Sequence, residues 1–107
     1  MLYPYAEFPG ELSITYSQVI KDSKMKDGEK IFVHFEKPTD FGFKEARYVL
    51  PNFKEVYNYD FTPSETKENL DILKRNAPLI IECAKEEKSE DVHWVLIKLN
   101  KNEHLVI

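Results

Sequence analysis

Apolar and polar residues alternate from Leu12 to Ile20, with Leu12, Ile14, Tyr16 and Ile20 on one side and Ser13, Thr15 and Ser17 on the other. A period of two predicts a half-buried strand. The same period returns from Lys30 to Glu36, where Ile31, Val33 and Phe35 oppose Phe32, His34 and Glu36. Asp27-Gly28, between these runs, is a turn signal. Lys37 to Phe43 (KPTDFGF) predicts a loop, because Pro38 cannot donate to a ladder and Gly42 tolerates positive φ. Ala46 to Leu50, closed by Pro51, predicts a second short strand, paired with the first across a long loop. Phe53 to Tyr59 has strand-like composition.

The period then changes. Thr62-Pro63-Ser64-Glu65 fits a capping box, with threonine as N-cap, proline at the first helical position and glutamate three residues after the cap. Leu70, Leu73, Ala77, Ile80 or Ile81, and Ala84 follow in steps of three and four, which predicts one buried helical face. Pro78 lies inside this run. It predicts either a kink near Arg75 or a stop, with Asn76 capping a second short helix. Glu86 to Asp91 reads as a charged linker. Val92 to Leu99 and Glu103 to Ile107 read as a final hairpin turning at Asn100 to Asn102. The expected fold is therefore α+β: a single domain over 1–107, an antiparallel sheet of four to five strands, and one kinked helix packed on one face.

Composition narrows the function. The 107 residues are 42% hydrophobic and 13% aromatic, enough for one core without disulfide or metal staples. Three glycines leave no Gly-rich phosphate loop. A single cysteine, Cys83, allows no internal disulfide and no cysteine-based zinc cluster, which fits a reducing compartment. The N-terminus lacks the basic and long apolar regions of a signal peptide, and no apolar run approaches the roughly 20 residues of a membrane span. These points predict a cytoplasmic protein without membrane contact.

Of the net charge of −4, −3 falls between Pro63 and Asp91, and no segment holds a basic stripe. Lys21, Lys24, Lys26 and Lys30 cluster, but Asp22, Asp27 and Glu29 are interleaved with them, so a solvated loop is expected and nucleic acid is not.

Few residues offer chemistry. His34 and Glu36 share a strand face, and a two-histidine, one-carboxylate metal site can be drawn from them with His93 and His104. No zinc motif accompanies them, so the expectation is three strand histidines on solvent-facing or rim positions, with no metal and no cofactor. Cys83, between Glu82 and the Ala84-Lys85 pair, lacks the electropositive setting of a nucleophile and reads as a packing residue. Glu86-Glu87 and Glu90-Asp91 are neighbours on a solvated segment rather than an acid–base pair. Most of the aromatics are expected in the core. Should Tyr3, Tyr5, Phe41 or Trp94 be exposed, they are the natural anchors for a partner.

Several short blocks, in order, carry a resemblance: Met1 to Glu7 (MLYPYAE), Ser17-Gln18, Val33 to Thr39 (VHFEKPT), Gly42-Phe43, Ala46-Arg47, Leu50-Pro51, Asn76-Ala77 and Leu79-Ile80. Together they resemble a family of small uncharacterised bacterial proteins over about residues 1–85. The resemblance implies a bacterial source and a shared fold, and no activity. Pro78 and the segment from Val92 to Ile107 depart from that family's pattern.

Two readings follow. The first is a small acidic protein–protein interaction module of the inhibitor, antitoxin or immunity type, with a protein partner or a second copy of itself. Its acidic helix-to-linker segment would speed encounter with a basic partner. The second is a small enzyme or ligand-binding domain using His34, Glu36, Arg47 and Tyr48 on the central hairpin. The missing catalytic motif and the small size weigh against catalysis.

Overall fold

The structure, a computed structural model, describes residues 2–86. Six strands run β1 (Leu2–Phe8), β2 (Leu12–Ser17), β3 (Ile20–Lys21), β4 (Glu29–Thr39), β5 (Gly42–Leu50) and β6 (Lys54–Tyr59), and one helix follows, α1 (Pro63–Lys85). All strand pairs are antiparallel, in the order β1-β2-β4-β5-β6, and β3 pairs with the start of β4. The α+β class, the antiparallel sheet and the single helix on one face are as the patterning predicts. The expected final hairpin lies outside the described residues.

The strands differ from expectation in three places, each with a local cause. The Leu12–Ile20 run is interrupted between β2 and β3. There the buried Ser17 hydroxyl accepts from the Phe32 amide at 2.9 Å and donates to the Gln18 carbonyl at 2.8 Å, so a side chain replaces a ladder bond. The supposed long loop at Lys37–Phe43 is mostly strand. Lys37 pairs with Lys44, Pro38 with Phe43 and Thr39 with Gly42, leaving Asp40 and Phe41 as the turn. Pro38 is tolerated because β2 pairs with β4 only as far as Glu36, so no neighbour needs its missing N–H. Leu2 to Phe8, given no element by the patterning, form β1, an edge strand among the described residues. A register shift between Pro4 and Ala6 breaks its period, and Gly10 at φ +75° turns the chain into β2.

The core lies between the sheet and α1. Ile14, Tyr16, Ile31, Val33, Phe35, Ala46, Tyr48 and Leu50 face Leu73, Ala77, Ile80 and Ala84, with Phe61 closing one end. The helix runs unbroken through Pro78, so the expected stop at Asn76 does not occur. Pro78 and Lys74 are both exposed, and water can satisfy the carbonyl that proline leaves free.

The capping box is formed. Thr62 Oγ1 accepts from the Glu65 amide at 3.1 Å, and Glu65 Oε1 accepts from the Thr62 amide at 3.0 Å. Glu65 also accepts from Lys44 Nζ at 2.7 Å and Lys37 Nζ at 3.4 Å. The Lys44 bond, the capping amide and Lys37 hold its carboxyl down to about 2. One side chain thus caps the helix and fastens it to both strands of the β4–β5 hairpin. At the far edge, the Tyr5 hydroxyl donates to Asn76 Oδ1 at 2.8 Å, tying β1 to the helix.

Leu73 is fully buried and Leu79, on the same helix, is 52% exposed. Leu73→Ala is expected to destabilise the fold by about 2–5 kcal/mol in urea unfolding. Leu79→Ala is expected to stay within about 0.5 kcal/mol of the parent.

Candidate functional site

A strand sends alternate side chains to opposite faces, so each strand that feeds the core also furnishes the face turned away from α1. On that face β4 places Phe32, His34 and Glu36, and β5 places Glu45, Arg47 and Val49. The register sets them in rows. Thr15, His34, Arg47 and Tyr57 are successive cross-strand partners, and Ser13, Glu36, Glu45 and Tyr59 form the adjacent row. A register shift between Arg47 and Tyr48 leaves Val56 of β6 as the extra residue and keeps Tyr57 and Tyr59 on this side.

At the centre lies His34, whose side chain is only 9% exposed. Its Nε2 is 3.6 Å from Glu36 Oε2 and 3.6 Å from Glu45 Oε1. Its Nδ1 is 3.2 Å from the Tyr57 hydroxyl. The imidazole is thus the floor of the cluster, and the two carboxylates, 35% and 41% exposed, stand at its mouth. One ligand atom from each of the three residues can be chosen so that all lie within 4.8 Å of one another.

The electrostatics are unusual for an open sheet face. Glu36 and Glu45 are direct cross-strand partners, an arrangement that costs stability when both are charged. Arg47, next in line on β5, is the obvious counter-charge. It forms no ion pair with either carboxylate. Its guanidinium carbon sits 5.7 Å from the Phe32 ring centroid and 5.6 Å from that of Tyr57, a cation held between two π faces. Its Nε is buried without a hydrogen-bond partner, as is Oγ1 of Thr15, the cross-strand neighbour of His34.

Burial, seconded by the Arg47 charge, pushes the His34 imidazole below its ordinary 6.5, while Glu45 and Glu36 pull the other way. Burial also pushes the Tyr57 phenol up, so its hydroxyl stays protonated and can donate. The neutral ring is the form in which imidazole offers a lone pair.

Of the residues the sequence assigns to a ligand site, His34, Glu36 and Arg47 come together. Tyr48 does not: it is fully buried against α1, edge-on to Phe35, on the other side of the sheet. Position parity separates it, since Tyr48 is adjacent to Arg47 and a strand alternates. His34 lies on the solvent side of the sheet, yet the surrounding side chains bury it, unlike the solvent-facing or rim position expected of it. Glu45 and Tyr57 belong to the cluster and were missed. Glu45 is opposite Glu36 only because the β4–β5 turn is two residues long, and Tyr57 requires the β6 register shift. His93 and His104, drawn earlier as metal partners, lie outside the described residues.

The proposed partner anchors divide. Phe41, in the hairpin turn, is fully exposed and Phe43 is 58% exposed. Tyr3 and Tyr5 pack against the core beside Tyr16. Trp94 lies outside the described residues. Cys83 is half-buried beside the core, as its packing role requires.

Two grooves flank the helix. One of about 130 Å³ is lined by Val19, Lys30, Ile31, Leu50 and Ile81. The other, about 380 Å³, is lined by Phe8, Leu12, Phe61, Glu65 and Asn69. Neither reaches the His34 cluster. Among the described residues no helix is long and apolar enough to cross a membrane. Comparison of the chain with protein-family models, curated proteins and solved structures finds no match.

The lowered His34 value gives a pH dependence. The unfolded chain takes up its histidine proton near 6.5, whereas the folded site resists it. Stability from this group is therefore complete above the unfolded value and is lost as pH falls below it. With divalent metals chelated, the urea midpoint of the parent protein should drop more steeply than that of His34→Gln between about pH 7.5 and 5.5.

Proposed function

We propose that this chain is a small cation-binding domain, whose site on the sheet face turned away from α1 takes a positively charged group between Glu36 and Glu45, above His34. One observation carries the reading. Two carboxylates face each other directly across neighbouring strands, and the adjacent guanidinium of Arg47 is stacked between aromatic rings instead of neutralising them. Such a pair gains from an external cation what it loses to mutual repulsion. The exposed Tyr59 ring, stacked on Tyr57 with centroids 4.8 Å apart, supplies an aromatic wall beside the carboxylates. The site is a shallow patch, which suits binding better than water-excluded catalysis.

The interaction-module reading is favoured by a separate feature, the fully exposed Phe41 with Phe43 beside the hairpin turn. An exposed aromatic at the end of a paired hairpin is the kind of anchor a protein partner buries. A basic side chain of that partner is one form in which a cation would reach Glu36 and Glu45.

The reading is checked by titrating the chelator-treated protein with methylguanidinium, and separately with acetate, while following backbone and side-chain NMR shifts. Methylguanidinium or an added divalent cation should move resonances of Glu36, Glu45 and Tyr59, and Glu45→Gln should abolish the response. If acetate moves them instead, through Arg47, the site is anionic in preference and the proposal is wrong.

A further inference from the structure

We infer that the cation is a divalent transition-metal ion of the zinc type, bound by His34 Nε2, one oxygen of Glu36 and one of Glu45, with Tyr57 as the residue that orients the imidazole. This rests on the cation-binding reading above and narrows it.

The donor set comes first. Two carboxylates alone would attract any cation, but here an imidazole nitrogen on the floor of the site faces them. Imidazole suits zinc, copper, nickel and iron, whereas calcium and magnesium select all-oxygen cages of six or more ligands. The geometry comes second. Metal–ligand bonds of about 2.0–2.2 Å at a tetrahedral centre put neighbouring donors roughly 3.4 Å apart. Both printed separations, 3.6 Å from Nε2 to each glutamate oxygen, are within a few tenths of an ångström of that edge. They are also longer than good hydrogen bonds, so the two carboxylates hold the Nε2 side of the ring only weakly and the space between the three donor atoms is not closed by a tight contact.

The support around the ligands is the third observation. A metal-bound histidine gives its other ring N–H to a fixed acceptor, which sets tautomer and ring angle. Tyr57 Oη is in place for that at 3.2 Å from Nδ1, and it is held in turn by stacking on Tyr59. On binding, the ring proton moves from Nε2 to Nδ1, Nδ1–H donates to Tyr57 Oη, and Nε2 presents its lone pair to the ion. With three protein donors at the mouth of an open face, the fourth position is left to water or to an incoming ligand. Arg47, clamped on Phe32 and Tyr57, stands beside the cluster as a fixed positive group that such an incoming anionic ligand would meet.

The test uses the full chain, stripped with chelator and titrated with Zn²⁺ by calorimetry and with Co²⁺ by visible absorption, with Mg²⁺ and methylguanidinium as comparisons. The expected result is one saturable Zn²⁺ site per chain, with a Co²⁺ spectrum of low coordination number. Glu36→Gln, Glu45→Gln and His34→Gln should each weaken Zn²⁺ by at least the roughly 10–100-fold typical of losing a supporting partner, and Tyr57→Phe by about that amount. The combined His93→Gln and His104→Gln variant should bind as the parent does. Circular dichroism on each variant separates lost binding from lost fold. Retention of Zn²⁺ by His34→Gln, or its loss in the His93→Gln and His104→Gln variant, would overturn the assignment. Binding of methylguanidinium without saturable Zn²⁺ binding would overturn the metal and leave the cation-binding domain standing. If neither binds, both readings fail.

Discussion

A strand sends successive side chains to opposite faces, so β4 and β5 cannot bury both of their sets against one helix. The described chain has one helix, and it takes the set Ile31, Val33, Phe35, Ala46, Tyr48 and Leu50. The other set is left to arrange its own cover. It does so with His34 and Val49 sunk among Phe32, Arg47 and Tyr57, at 7% exposure each, on a face that no other described element roofs. The polar cluster owes both its position and its partial burial to that division. A shift of one residue in the β4–β5 register would turn His34 toward Leu73 and Phe35 toward water.

Register is therefore what the structure must protect, and Glu65 is the residue best placed to do so. It closes the helix cap and holds Lys37 and Lys44, themselves the third cross-strand pair from the hairpin turn. The same register that is fastened there brings Glu36 opposite Glu45 on the next pair along. A pair of facing carboxylates opposes folding, and a sequence that retains one beside a guanidinium committed to aromatic rings gives up stability for a local potential. The cation-binding proposal is the reading under which that loss has a use.

Much of this was legible in the sequence. The period of two over Lys30–Glu36 gave the facing of His34 and Glu36, and the capping box gave the start of α1 to the residue. What stayed hidden depended on contacts between segments distant in the chain. Glu45 joins the cluster through a two-residue turn that Pro38 and Gly42 disguise as a loop. Tyr57 joins through an irregular step in β6. Tyr48 was drawn into the site by sequence adjacency to Arg47, although alternation already argued for the opposite face. Strand β1 was obscured by Pro4 and a register shift, both tolerated because, among the described residues, one side of this strand has no neighbour to satisfy.

His34 sits neutral and oriented between Tyr57 and the two carboxylates, not averaged in solvent. Long-range proton–nitrogen NMR of the imidazole rings in metal-free protein at about pH 7, assigned by comparison with His34→Gln, reads this directly. The expected result is a neutral ring in a single tautomer, with its proton on Nε2 toward Glu36 and Glu45 and Nδ1 accepting from the Tyr57 hydroxyl. A ring that averages between tautomers and exchanges its proton like a free histidine would contradict it.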